Sequence, residues 1–327
     1  MGGLCKECEQ PYTDDNWCRS CNAKRFQQDF KNWTSGNPNI DKLIQESQIN
    51  AKNGYEKLEW VEYDKFENIE YITKGGFGTI YKSRWKEGYI KYWYYRLNQW
   101  FRRGNTSVAL KSLNNSKDIT LEFLNEIKLH LKMNNSSSMI KLYGITKDSK
   151  TSNFVMVMQY AEDGNFRQVL NRDFKSFSFV DKLTALHEIS SGLRDIHREG
   201  LTHQDFHIGN ILTSSTAFCR ITDLGLNADP SKRPTAQNLN FRCIEWFLES
   251  KNMRRGIREI CKQFKEADEF NKNQPSFTKS DNNKLIYTTH PQAIYTSRLL
   301  NFNNLPEPKN EEYSESLKID FTKLNIK

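Results

Sequence analysis

The loop LTHQDFHIGNIL at residues 201–212 constrains the fold of this chain more than any other segment. In it, Asp205 precedes an amide, Asn210, by five residues, and a second aspartate, Asp223, follows in the sequence ITDLG. A carboxylate that accepts a hydroxyl proton, with an amide and a second carboxylate as oxygen ligands for Mg²⁺, is the set that phosphoryl transfer requires. The spacing therefore predicts two loops that meet at one site.

A glycine-rich turn, KGGFG, lies upstream within residues 69–81, with alternating apolar residues on both sides. This pattern predicts a hairpin whose backbone N–H groups approach phosphate oxygens, because glycine has no Cβ to keep them apart. Tight hairpins also use glycine for other reasons, so the turn alone is weak evidence. It is followed by a predicted strand, VALK, ending at Lys111, and by a predicted helix over 119–130 in which Glu126 is placed to pair with that lysine.

Hydrophobic periodicity predicts three further features of secondary structure. The helix over 119–130 is expected to bury one apolar face, formed by Leu121, Leu124 and Ile127. Residues 153–160 are predicted to form a buried strand. A second helix, over 182–199, is expected to pack under the loop of Asp205 through Leu183, Leu186, Ile189, Leu193 and Ile196.

These motifs, in this order, resemble those of protein kinases, specifically the tyrosine-kinase-like group. The resemblance implies an α+β, bilobal fold with a mainly β N-lobe and an α-helical C-lobe. It implies Mg-ATP between the lobes and transfer of the γ-phosphate to Ser, Thr or Tyr hydroxyls of a protein. By resemblance Asp205 is the catalytic base, Lys111 contacts the phosphates and is aimed by Glu126, and Asn210 and Asp223 bind Mg²⁺.

The same resemblance assigns a nucleotide pocket. Residues 159–161 correspond to the hinge that binds adenine, and Met158 corresponds to the residue at the back of the pocket. The predicted nucleotide-binding residues are Gly75, Gly76, Gly78, Ile80, Ala109, Lys111, Met158, Gln159, Tyr160, Ala161, Asn210, Leu212 and Asp223.

Four positions depart from the protein-kinase pattern. They are Thr73 in place of a glycine, Gln204 in place of an arginine, His207 in place of a lysine and Leu224 in place of a phenylalanine. The motif H-x-D-x-H-x-G-N-I-L is also similar to that of small-molecule kinases, such as the aminoglycoside and choline phosphotransferases. The glycine turn, VALK and the segment GNFRQVL at 164–170 favour the protein-kinase branch.

A protein kinase should continue after Asp223 through an activation segment and two large helices. Here a segment resembling the end of a kinase domain follows at once, and only about ten residues separate Asp223 from Arg233. The resemblance therefore implies an incomplete C-lobe that lacks the segment expected between 227 and 228. We expect a kinase with impaired phosphotransfer, with a pseudokinase-type signalling scaffold as the alternative.

Four cysteines crowd into the first 21 residues, as Cys5-x2-Cys8 and Cys18-x2-Cys21. Each pair can present two thiolates from a tight turn, and four thiolates complete a structural Zn²⁺ site without an open position. Two disulfides are the alternative. Disulfides are typical of secreted proteins, and nothing in the sequence indicates secretion. A segment this short has no core of its own, so the metal would supply its folding energy.

The sequence predicts four regions. They are a zinc-knuckle-like segment at 1–25, a linker and helix at 26–65, the kinase-like domain at 66–265 and a mostly disordered tail at 266–327. In the second region Asp41 is expected to cap the helix. Aromatic and basic residues alternate over 84–103, which predicts a hairpin with cross-strand aromatic pairs. Stacking on nucleic-acid bases is the less favoured explanation.

The net charge of +8 permits a polyanionic partner, but basic residues spread over a solvated surface explain it as well. Nucleic-acid binding is therefore the least favoured of the functions considered. No apolar run approaches the roughly 18 residues of a membrane helix. We expect a cytoplasmic or nuclear protein with ATP and a protein substrate or signalling protein as partners.

Overall fold

The computed structural model describes residues 3–74, 78–113, 116, 119–173, 176–203, 205–214, 218–223, 266 and 269. Several predictions lie outside these residues: those for Gly75, Gly76, Gln204 and Leu224, for the shortened segment after Asn227 and for most of the tail.

The helices are α1 (Arg19–Asp29), α2 (Pro38–Asn50), α3 (Leu121–Met133), α4 (Phe166–Asp173) and α5 (Phe179–Arg198), with short 3₁₀ turns at Phe30–Asn32, Tyr63–Lys65 and Ile208–Asn210. The strands are β1 (Glu59–Trp60), β2 (Phe66–Lys74), β3 (Gly78–Trp85), β4 (Tyr89–Tyr94), β5 (Gln99–Arg103), β6 (Thr106–Leu113), β7 (Leu142–Lys147), β8 (Phe154–Gln159), β9 (Gly164–Asn165), β10 (Ile211–Thr213) and β11 (Cys219–Ile221). None of the helices in the described part of the chain has the length and apolar character needed to cross a membrane.

A six-stranded sheet forms the first lobe, in the order β1-β7-β8-β6-β3-β2. All of its pairs are antiparallel except β1 with β7. Strands β10 and β11 form a second, small sheet with β9, and helices α4 and α5 belong to this second half. The predicted α+β architecture with a mainly β first lobe is confirmed.

The predicted hairpin within 84–103 is also confirmed, as the antiparallel pair β4–β5. Trp93 lies opposite Trp100, and the rings of Tyr92 and Phe101 stack at 4.8 Å between centroids. Cross-strand aromatic contacts of this kind stabilise a two-stranded ribbon.

Helix α3 begins after Thr120, whose hydroxyl accepts the N–H of Phe123 at 3.2 Å. Its buried face contains Phe123 and Ile127, whereas Leu121 is 75% exposed. The predicted burial of Leu121 was therefore wrong. At 3.6 residues per turn, a separation of six positions places Leu121 roughly 120° around the axis from Ile127, so both cannot face the sheet.

Helix α2 begins earlier than predicted. Its N-cap is Asn37, whose side chain accepts the N–H groups of Asn39 and Ile40, and Pro38 is the first helical residue. The prediction that Asp41 caps the helix was wrong, because proline already has the backbone angle of a first helical turn. The side chains of Ile40 and Ile44 lie in the same buried cluster as Phe123 and Ile127 of α3.

Helix α5 packs against β11 at a close approach. A Cβ added at Gly192 would lie 2.8 Å from Cδ1 of Ile221, so a larger residue there would require the side chain of Ile221 to shift. The predicted apolar stripe is only partly buried, because Leu183 and Ile196 are inside while Leu186 is 47% exposed. The contact with β11 places α5 beneath the strand that leads to Asp223.

Candidate active site

Strand β6 lies between β8 and β3 in the main sheet and carries Lys111. The Nζ of this buried lysine lies 2.7 Å from Oε1 of Glu126 on α3 and 2.7 Å from Oδ1 of Asp223. Burial disfavours the charged ammonium, but the two carboxylates outweigh it and raise the pKa of Lys111 above its usual range. The predicted pairing of Glu126 with Lys111 is thus present.

Asp223 follows β11 in a left-handed backbone conformation, with φ of 59°. Asp is one of the few residues that adopt this region readily, and such conformations occur often at functional sites. Bonds that hold the backbone before it include those from Ile221 N–H to Ser138 O at 2.9 Å and from Thr222 N–H to Asn210 O at 3.0 Å. Burial raises the pKa of Asp223, but the charge of Lys111 prevails and holds it below its usual value.

The loop before β10 brings Asp205 and Asn210 together. The Nδ2 of Asn210 donates to the backbone O of Asp205 at 2.9 Å and to its Oδ2 at 3.2 Å. His207 Nε2 lies 3.5 Å from the same Oδ2. The buried ring of His203 bonds the backbone O of Thr222 through Nε2 at 2.7 Å, which ties this loop to the residue before Asp223.

A cleft of about 360 Å³ lies between the two halves. Its walls contain every predicted nucleotide-binding residue that the structure describes: Gly78, Ile80, Ala109, Lys111, Met158, Gln159, Tyr160, Ala161, Asn210, Leu212 and Asp223. Sequence reasoning missed several other lining residues, namely Ile72, Thr73 as a wall residue, Ile140, Gly164, Asn165, Gln168, Gly209 and Thr222.

Some of these missed residues had a signal in the sequence. Asn165 and Gln168 belong to the segment 164–170, whose resemblance to kinases was used only to choose the family branch. Ile140 had none, because it reaches the cleft only through the backbone pairing of 138–140 with Ile221.

The four N-terminal cysteines form a single cluster, with one sulfur from each lying within 4.8 Å of the others. The Sγ–Sγ distances are 3.5 Å for Cys8–Cys18 and 3.8 Å for Cys5–Cys21, and all the described cysteines are free thiols. The arrangement therefore matches one four-ligand site rather than two disulfides.

The protonation of this cluster is uneven. Burial raises the pKa of the Cys5 thiol, but hydrogen bonds, above all with the Tyr95 hydroxyl at 3.3 Å, bring it down to about 6. Burial and the neighbouring thiols raise the pKa of Cys21. Four ionised sulfurs this close together require a cation, and a thiol that coordinates a metal ion loses its proton.

Hairpin β4–β5 covers this cluster. Its Trp100 stacks on Phe26 of α1 at 4.6 Å, with an interplanar angle of 17°. The guanidinium of Arg25 lies 4.1 Å from the ring centre of Trp93. The hairpin predicted from its aromatic residues therefore serves as the surface on which the N-terminal segment packs.

Comparison with known proteins indicates the family of the chain. The family model described as protein tyrosine and serine/threonine kinase matches residues 66–252. Similar proteins include cyclin-dependent kinase 11.1 of Caenorhabditis elegans (26% identical over 181 residues), serine/threonine-protein kinase PLK4 of Drosophila willistoni (25% over 182) and tyrosine-protein kinase TXK of Homo sapiens (25% over 172).

These alignments cover 53–54% of this chain but only 20–29% of the three relatives. Serine/threonine and tyrosine kinases match with nearly equal identity, so similarity does not choose between the hydroxyl groups. The family match covers more than half of the chain and includes both halves of the cleft. The chain belongs to the protein kinase family.

Proposed function

We propose that this chain binds Mg-ATP in the cleft and transfers the γ-phosphate to a hydroxyl group of a protein. The observation that carries the proposal is the position of Lys111, whose ammonium is shared by Glu126 and by Asp223, 112 residues further along the chain. Burying these charges carries a desolvation penalty. In protein kinases the same arrangement positions the lysine that holds the ATP phosphates.

Each polar residue has a role that its position supports. Lys111, aimed by Glu126, would bind the phosphates. The carboxylate of Asp223 and the side-chain oxygen of Asn210 would hold Mg²⁺, since both line the cleft and Mg²⁺ prefers oxygen ligands. When bound, Mg²⁺ neutralises the charge that develops on the phosphate oxygens.

Asp205 would accept the proton of the attacking hydroxyl. Its Oδ2 is oriented by Nδ2 of Asn210 at 3.2 Å, so the proposed base and the proposed metal ligand form one unit. The side chain of Asp205 is 41% exposed, which leaves it within reach of a substrate outside the cleft. His207, at 3.5 Å from Asp205, supplies a ring N–H where other kinases use lysine.

A second candidate is a signalling module that binds nucleotide without phosphotransfer. The observation that favours it is the sequence after Asp223, where about ten residues precede Arg233. The peptide-binding platform of a kinase is built from the residues that this short segment omits.

We also propose that Cys5, Cys8, Cys18 and Cys21 bind a structural Zn²⁺ ion. Four sulfurs within 4.8 Å of one another fit the tetrahedral, closed coordination that Zn²⁺ takes in structural sites. The ion would stabilise the N-terminal segment and has no part in phosphotransfer.

A pair of measurements tests the proposed function. ATP at 100 times its Kd should raise the free energy of unfolding by about 2.7 kcal/mol. Without Mg²⁺ the increase should be smaller. Phosphate transfer from radiolabelled ATP to a mixed protein substrate should be lost in Asp205→Asn, which should still bind ATP. Asp64→Asn, an exposed aspartate before β2, is the matched control and should keep full transfer.

The outcomes separate the two candidates. Nucleotide binding with no transfer by the wild type favours the signalling module. Absence of any ATP-dependent stabilisation, with or without Mg²⁺, contradicts both.

A further inference from the structure

His130, one turn after Glu126 on α3, is the most unusual polar residue outside the proposed catalytic set. It is 1% exposed, and neither of its ring nitrogens has a hydrogen-bond partner within the described part of the chain. Buried polar atoms almost always have a partner, because an unpaired one costs about 1–3 kcal/mol. Two unpaired nitrogens on one buried ring indicate a missing ligand.

The ring faces two carboxylates. One nitrogen of His130, one oxygen of Glu126 and one oxygen of Asp223 all lie within 4.8 Å of one another. Glu126 and His130 are four residues apart and so share one face of α3. Asp223 reaches them from the end of β11, which makes this a cluster assembled from two elements distant in sequence.

We propose that Glu126, His130 and Asp223 form a binding site for a divalent first-row transition metal ion, with Zn²⁺ as the best fit. An imidazole nitrogen with two carboxylate oxygens suits Zn²⁺, Co²⁺ and Ni²⁺, whereas Mg²⁺ takes oxygen ligands. The site is therefore chemically distinct from the proposed Mg²⁺ site, although Asp223 belongs to both. Three protein ligands leave a position open for water.

The imidazole is ready to bind a metal ion. Neither ring nitrogen of His130 is engaged by a hydrogen-bond partner among the described residues, so the neutral ring can offer a nitrogen lone pair to a metal ion. Ligand bonds of about 2.0–2.2 Å require the three donor atoms to draw together by roughly 1 Å. The side chains of Glu126 and Asp223 are partly exposed, which leaves them room to rotate toward the imidazole.

Lys111 competes for this site. Its ammonium now lies 2.7 Å from an oxygen of each carboxylate, so a metal ion that binds both must displace it. The lysine that would hold ATP phosphates would then lose its orientation, and Asp223 would no longer be available to Mg²⁺. The transition-metal ion and Mg-ATP should therefore exclude each other, which makes the site inhibitory.

Co²⁺ titration of the full chain, with the cysteine cluster first loaded with Zn²⁺, tests the proposal. The wild type should bind one further Co²⁺ whose visible spectrum lacks thiolate charge-transfer bands. Mutation of a residue that only hydrogen-bonds to a metal ligand lowers metal affinity by about 10–100-fold. His130→Leu removes a ligand itself and should therefore weaken Co²⁺ binding by at least that factor. His187→Leu, the same change on α5, is the control and should bind Co²⁺ like the wild type.

Two further measurements examine the competition. Lys111→Met should bind Co²⁺ more tightly than the wild type, because the competing ammonium is gone. Zn²⁺ should weaken ATP binding to the zinc-loaded wild type and not to His130→Leu. The Co²⁺ stoichiometry does not depend on the proposed function, whereas the ATP competition does, so their failures are distinguishable. Equal Co²⁺ affinity in wild type and His130→Leu, or no second ion in the wild type, overturns the proposal.

Discussion

At the scale of single residues, the site depends on one buried ammonium between two carboxylates. The side chain of Lys111 is 6% exposed, against 20% for Glu126 and 29% for Asp223. Removing the central charge leaves two carboxylates close together without compensation. Removing one outer charge leaves a complete pair, so the consequences of the two changes should differ.

We expect Lys111→Met to destabilise the fold by about 2–3 kcal/mol, below the 3–5 kcal/mol of a fully buried pair because both carboxylates keep some solvent. Glu126→Gln should cost less, about 1 kcal/mol, since Lys111 retains Asp223. Urea denaturation without nucleotide measures both values. Equal losses in the two variants would show that the shared ammonium is not the source of the effect.

At the scale of elements, a second buried ion group joins β1 to the β4–β5 hairpin. Glu59 Oε1 accepts from Lys57 Nζ at 2.7 Å and from the N–H of Ile90 at 2.8 Å, and its Oε2 lies 2.5 Å from Nη2 of Arg102. Burial lowers the pKa of Lys57 despite the opposing charge of Glu59. Burial also raises the pKa of Glu59, but Lys57 and Arg102 outweigh it and hold that pKa below its usual value.

Glu59→Gln should destabilise the fold by about 3–5 kcal/mol at neutral pH, because it leaves Lys57 buried without a partner. Lys57→Met should cost much less, since Glu59 keeps Arg102. The contribution of Glu59 is present above its unfolded pKa of about 4.3 and is lost as pH falls through its lower folded pKa. The difference in unfolding free energy between wild type and Glu59→Gln should therefore shrink below roughly pH 4.

Urea denaturation over this pH range tests the prediction. A difference that stays constant as the solution is acidified would mean that the charge of Glu59 does not stabilise the hairpin junction. If Lys57→Met lowers the free energy of unfolding as much as Glu59→Gln does, the proposal that Arg102 still pairs with Glu59 in the absence of Lys57 is contradicted.

At the scale of the whole molecule, the residues before the kinase match are part of the kinase core. Helix α2 contributes to the same buried cluster as α3, which carries Glu126. The side-chain Nδ2 of Asn134, at the end of α3, donates to the backbone O of Tyr55 at 2.9 Å, and Asn53 donates to Asn135 at 2.8 Å. The N-terminal cysteine cluster thus connects through α1, α2 and the hairpin to the helix that aims Lys111.

Removal of Zn²⁺ with a chelator, or the change Cys18→Ser, should break this connection. The stack of Trp100 on Phe26, and the contact of Trp17 with Trp100 at 6.0 Å between centroids, depend on the folded cysteine segment. We expect loss of near-UV circular dichroism from tryptophan, a lower Tm and weaker ATP binding, because structural Zn²⁺ supplies about 10–16 kcal/mol in zinc-finger peptides.

The matched control is Cys219→Ser. Burial raises the pKa of this thiol to about 12, and it lies outside the cluster, so Zn²⁺ content should not change. An unchanged near-UV spectrum and Tm after chelation would contradict a structural role for the metal ion.

Local chemistry explains which features were predictable. The VALK strand, the glycine hairpin and the cysteine pairs are short patterns whose geometry depends on neighbours in sequence, and each was recognised. The errors at Asp41 and Leu121 concerned where a helix begins and which way its residues face. Asn37 with Pro38 set the start of α2, and helical rotation turned Leu121 to solvent.

The sequence by itself determined the family, the candidate residues for metal binding and proton transfer, and the cysteine spacing, because these depend on residue type and order. Only the tertiary structure decided that Ile140 lines the cleft, that the hairpin carries the cysteine segment and that His130 faces the carboxylates of Glu126 and Asp223. These contacts join residues distant along the chain, and the orientation of whole elements, rather than any local pattern, brings them together.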